Sequence, residues 1–125
     1  MTPVLFLALS LAGGFGAVAR FALDSATRLR VRSELPIGTI VINLSGSLAL
    51  GLLAGFVAGH ALPDAIRVVA GTGFLGGYTT FSTASVETVR LVQRGRRGAA
   101  LISGPLVLVA GVTLATFGLV AGTAT

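Results

Sequence analysis

Between Gly71 and Thr83 the chain reads Gly-Thr-Gly-Phe-Leu-Gly-Gly-Tyr-Thr-Thr-Phe-Ser-Thr, a run that mixes helix-weakening glycines with hydroxyls able to coordinate an ion. It lies inside an apolar segment of membrane length, Ala65 to Val89. Backbone inside lipid must satisfy its own hydrogen bonds, so a helix interrupted at mid-depth survives only beside protein or a watery path. Its freed carbonyls and amides are the groups from which membrane ion sites are built. The glycine pair Gly76-Gly77 is the expected point of interruption. If helix resumes after it, Phe81, Ser85 and Thr88 share one face. Glu87 falls near the end of the segment, where ionisation at the membrane interface costs little.

A second polar residue stands in an apolar run: Asn43 lies between Ile42 and Leu44 and is followed by Ser45 and Ser47. Its amide must be satisfied away from water. Two roles are open, an interhelical hydrogen bond and a donor lining an anion path.

The elements that must position these residues are apolar helices. Of 125 residues, 54% are hydrophobic and 10% charged, and the mean hydropathy is +0.95. Soluble domains carry about 25% charged residues. Four stretches reach the length of a membrane crossing: Val4 to Leu23, Pro36 to Gly59, Ala65 to Val89 and Ala99 to Ala121. The expected fold is an all-α membrane protein, a single four-helix transmembrane domain over residues 1–125 with a broken third helix. The first 19 residues hold no Lys or Arg, so the N-terminus reads as the first span rather than as a basic leader.

The net charge is +5. Arg28, Arg30 and Arg32 lie between the first two stretches, and Arg90, Arg94, Arg96 and Arg97 lie between the last two. Those connections share a side, and the other side holds Arg67 with Asp64 and His60. The bias explains the charge as membrane topology rather than nucleic-acid binding and puts both termini outside the cytoplasm. With no cysteine, disulfides and thiolate metal sites are excluded. His60, the one histidine, sits by a loop, and no nucleophile and base pair up, so no enzyme is expected. Gly51, Gly55 and Gly59, like Gly104, Gly111 and Gly118, repeat along one helical face and read as packing stripes. Gly13, Gly14 and Gly16 read the same way.

Three blocks, Gly13-Gly-Phe-Gly-Ala-Val-Ala-Arg20, Gly38-Thr-Ile-Val-Ile-Asn-Leu-Ser-Gly-Ser47 and Gly73-Phe-Leu-Gly-Gly-Tyr-Thr-Thr-Phe-Ser-Thr83, resemble the signature blocks of the CrcB/Fluc fluoride channels. The fourth stretch resembles the family only in apolar character and glycine content. The resemblance implies an antiparallel dimer in a bacterial plasma (inner) membrane that exports fluoride passively. It places Asn43, Phe81, Ser82 and Thr83 along the fluoride path and Glu87 near a vestibule. It gives the carbonyls of Gly76 and Thr79 to a structural sodium ion at the dimer interface. Ser103 and Thr113 are the polar candidates of the fourth helix.

One departure stands out: the family's third block usually continues Thr-Thr-Phe-Ser-Thr-Phe, and this chain has Ala84 in the last place. A methyl group supplies no aromatic edge. The partner is accordingly either a second copy or a related subunit of opposite orientation. Two other functions have comparable sequence features. A small proton-coupled multidrug or guanidinium-type exporter needs an ionisable residue deep in the first helix, and Val4 to Ala19 has none. A noncatalytic membrane assembly subunit needs no working pore.

Overall fold

The computed structural model describes residues 2–125. Those residues are all helical or connecting, with no strand among them. Helix α1 is Pro3–Arg30. It begins cleanly because the Thr2 side chain accepts a hydrogen bond from the Leu5 N–H at 3.1 Å and Pro3 needs no donor partner in the first turn. Arg28 and Arg30 sit in its last turn, where cations complement the helix dipole. Helix α2 is Ile37–Ala58. It closes through the paired backbone bonds His60 N to Val57 O (3.0 Å) and Ala61 N to Phe56 O (2.8 Å), which force His60 to φ 63°.

Helix α3 runs continuously over 64–78 as Asp64–Ile66, a π-wound Arg67–Leu75 and Gly76–Tyr78. Thr79 and Thr80 are extended, with ψ of 159° and 114°. Helix α4, Phe81–Gln93, then begins with the Thr80 hydroxyl accepting from the Thr83 N–H at 3.2 Å. Gly95, at φ 75°, ends it. Helix α5 runs over Arg97–Ala124. Its ladder widens to π over Ile102–Leu106, around Pro105, which has no N–H to give and whose ring crowds the preceding turn.

The apolar segment from Ala65 is thus interrupted, but three residues later than expected. Gly76 and Gly77 remain helical. They serve close approach: a methyl on Gly77 would fall on the Gly13 carbonyl oxygen, and one on Gly16 on that of Phe74. This glycine seam binds α1 to α3 at backbone distance. A second seam joins α2 to α5. A methyl on Gly51 would strike the Ala115 carbonyl, and one on Gly118 would lie 2.7 Å from the Leu48 oxygen.

Helices α1, α2 and α5 are each long and apolar enough to cross a membrane. The interrupted segment contains no single helix of that length. Much of the apolar surface faces outward, including Phe6, Phe15, Phe21 and Phe117, each more than 60% exposed. An exposed apolar belt of that extent suits lipid or another subunit rather than water.

Candidate functional site

The helix break is held from across the subunit. Asn43, one turn into the polar block of α2, donates from Nδ2 to the Thr80 carbonyl at 2.8 Å and accepts from the Thr80 N–H through Oδ1 at 2.9 Å. One side-chain amide thereby replaces both backbone partners that Thr80 loses by leaving the helix. The interhelical bond expected of Asn43 is present. The second Nδ2 hydrogen stays uncommitted, and Asn43 lines an open groove of about 820 Å³.

That groove runs between α2, α3, α4 and α5. Phe81, Ala84, Ser85 and Thr88 form its α4 wall, so the face anticipated for Phe81, Ser85 and Thr88 is the one turned to the groove. Gly76 and Thr79 line it beside the break. Phe81 opens α4 and is 79% exposed. Ser82 and Thr83 do not line the groove; the Thr83 backbone belongs instead to the cap made by Thr80. Of the two polar candidates from α5, Ser103 lines the groove and is buried. Thr113 does not, and its hydroxyl bonds back to the Val109 carbonyl at 2.8 Å.

At one end of the subunit lies a polar basin of about 480 Å³, lined by Asp24, Arg28, Arg32, Glu87, Arg90 and Arg94 among others. Both arginine-bearing connections meet there, and Arg96 pairs with Glu34 at 3.4 Å. Glu87 stands at the basin floor, its side chain 18% exposed. It accepts from the Thr39 hydroxyl at 2.7 Å and lies 4.0 Å from Arg28, which also pairs with Asp24 at 3.1 Å. Thr39 is a site residue not singled out from sequence. The available signal was its place one helical turn before Asn43 within the same block. The Arg20 Nε is buried with no hydrogen-bond partner.

Among the described residues, no group of three or more His, Cys, Asp or Glu side chains could hold a metal. A cation at the break would meet neutral oxygens, backbone carbonyls and hydroxyls, rather than a cluster of ionised side chains. The residues there fit a hard ion: the last carbonyls of α3 lose their partners one turn on because the chain leaves the helix at Thr79. No Cβ at Gly76 crowds the spot, whose nearest neighbour to an added methyl is the Gly71 oxygen at 3.9 Å.

The family model described as CrcB-like protein, Camphor Resistance (CrcB), matches residues 7–123. A protein of Leifsonia xyli subsp. xyli named fluoride-specific ion channel FluC 1 is 53% identical over 104 residues, covering 83% of this chain and 76% of the relative. One of Cutibacterium acnes named fluoride-specific ion channel FluC 2 is 49% identical over 114 residues, 90% of this chain and 92% of the relative. One of Mycobacterium tuberculosis with the same name is 38% identical over 118 residues, 94% and 90% of the two chains.

Proposed function

The chain belongs to the CrcB family, and on that premise we propose that it is a fluoride channel subunit, not an enzyme, which lets cytoplasmic fluoride leave passively and so protects the cell from it. The carrying observation is Asn43. Its amide props open a helix break on a groove and keeps one N–H in hand. Fluoride is small and strongly hydrated, and a pore must replace its water with donors of that kind. The ring edge of Phe81 carries positive quadrupole density and adds to them in a water-poor passage. An inside-negative potential drives a monovalent anion outward with about 2.3 kcal/mol per 100 mV.

The proposed setting is a bacterial plasma (inner) membrane, crossed four times when α3 and α4 count together as one broken span. Seven arginines gather at the basin end against Arg67 at the other, which supports both termini outside the cytoplasm. The working unit is an antiparallel dimer. The outward-facing Phe81 supports it, since a ring that is 79% exposed in one subunit gains cover from a second. Ser82, exposed, and Thr83, half-buried, then face a path completed by that second subunit. A sodium ion on the Gly76 and Thr79 carbonyls would supply fixed positive charge at the interface and tie the two breaks together. Ala84 on the groove wall supports a related partner subunit over a second identical copy.

Purified protein in liposomes tests the function. Fluoride efflux without proton counter-transport, and no matching chloride efflux, is the expected result. Proton-dependent drug or guanidinium transport marks the exporter alternative, and silence with every partner marks an assembly subunit. Co-purification of two differently tagged copies in opposite orientations, conducting without another subunit, would establish a homodimer.

A further inference from the structure

All 9 cationic residues of the chain are arginine and none is lysine. Membrane orientation needs only positive charge, so topology does not ask for that choice. The planar fork of a guanidinium matches the oxygens of a phosphate in pairs, where a lysine offers a point charge. The four side-chain carboxylates are each already held. Arg28 takes Asp24 at 3.1 Å and lies 4.0 Å from Glu87, Arg67 takes Asp64 at 2.8 Å, and Arg96 takes Glu34 at 3.4 Å. Among the described residues, Arg32, Arg90 and Arg94 make no ion pair, yet all three line the same basin and all three are exposed at its rim. Like charges gathered in this way repel one another until an anion joins them.

The surroundings of the three arginines say which anion that is. Val86, Arg90 and Arg94 follow at four-residue spacing on one face of α4, and Val86 is exposed. Phe21 and Leu29 lie about two turns apart on one face of α1, 74% and 88% exposed, and lead up to Arg32. An acyl chain laid along either row brings its headgroup phosphate among the arginines. A dissolved phosphate has no use for such rows. A second copy of the chain has no free acidic side chain to offer, because its own four are paired in the same way.

We propose that the rim of this basin seats the headgroup of an anionic phospholipid, gripped by Arg32, Arg90 and Arg94, with its chains on the exposed rows of α1 and α4. The seat lies above the Thr39, Glu87 and Arg28 contacts of the basin floor, goes beyond the channel reading, and is tested without any ion flux. The test is native mass spectrometry of the purified protein titrated with phosphatidylglycerol or phosphatidylcholine of the same acyl chains. The wild type should retain phosphatidylglycerol about tenfold more tightly or better, and inorganic phosphate at the same concentration should not displace it. Arg90→Gln and Arg94→Gln should each weaken retention about fivefold, and the double variant about twentyfold, as loss of an arginine near an anionic headgroup does. Arg67→Gln, at the opposite end, should stay within about twofold of wild type, and every variant should elute from size exclusion as the wild type does. Equal retention of the two lipids by the wild type overturns the seat whether or not a variant can be purified. Undiminished phosphatidylglycerol binding in the double variant, or an equal loss in Arg67→Gln, overturns it too. Displacement by inorganic phosphate would make the anion a dissolved one and overturn the lipid assignment.

Discussion

Replacing Asn43 with leucine removes both hydrogen bonds that hold Thr80 outside the helix. The side chain is of similar size, so the packing of α2 changes little. The Thr80 N–H and C=O, half-buried beside the groove, then lack partners, and each costs about 1–3 kcal/mol when stranded. Partial exposure puts the expected loss toward the lower end, about 2–4 kcal/mol in all. Since each 1.4 kcal/mol is a factor of ten, loss of the N–H bond alone should speed exchange of the Thr80 amide roughly tenfold to a hundredfold. Hydrogen exchange read by mass spectrometry on a peptide spanning the break measures that directly, and liposome efflux on the same preparation measures conduction. Asn43→Asp separates the two roles of the amide. Its carboxylate still accepts from the Thr80 N–H but donates nothing and repels an anion, so Thr80 protection should persist while flux is lost. Unchanged exchange at Thr80 in the leucine variant would refute the idea that the amide holds the break.

Phe81→Ile should slow fluoride efflux several-fold, as removal of an aromatic contact of about 0.5–1.5 kcal/mol predicts, and equal conduction would make that ring a packing residue. Gly51→Ala should prevent the α2–α5 seam from closing and abolish a monodisperse peak on size exclusion, whereas Gly98→Ala, with open space around its Cβ, should leave the elution unchanged. His60→Gly should raise thermal stability by about 1 kcal/mol, because a left-handed turn costs a side-chain-bearing residue that much and a glycine little. A melting point at or below wild type would show that the His60 ring makes compensating contacts.

Composition and the four apolar stretches were enough to read an all-helical membrane protein, since lipid permits few architectures for so apolar a chain. The ends of α2 and α5 fall within a few residues of the expected limits. The helix break was legible as a neighbourhood but not as a position. A glycine pair signals both weakness and close approach, and only the Gly13 carbonyl across the seam decides for approach. Asn43 announced itself by polarity in an apolar run, yet its partner, a backbone group 37 residues away, left no mark in side-chain chemistry. Thr39 was hidden for a related reason. A lone threonine near the start of a helix is unremarkable until Glu87 is placed against it. The seven-residue stripe of glycines on α5 shows the limit most clearly, because Gly118 seals a seam while Gly104 and Gly111 clear a groove, and spacing alone treats them alike.

The α2–α5 seam also decides where movement can occur. Gly51, Gly55, Gly118 and Gly122 bring main chain against main chain, with no side chain between them to change rotamer. Sliding one helix along the other would drive a carbonyl into an α-carbon, so this half of the subunit behaves as a fixed post. Looser backbone lies away from that seam, where the ladder of α3 is widened and its continuation begins afresh after two extended residues, and where α5 itself widens around Pro105.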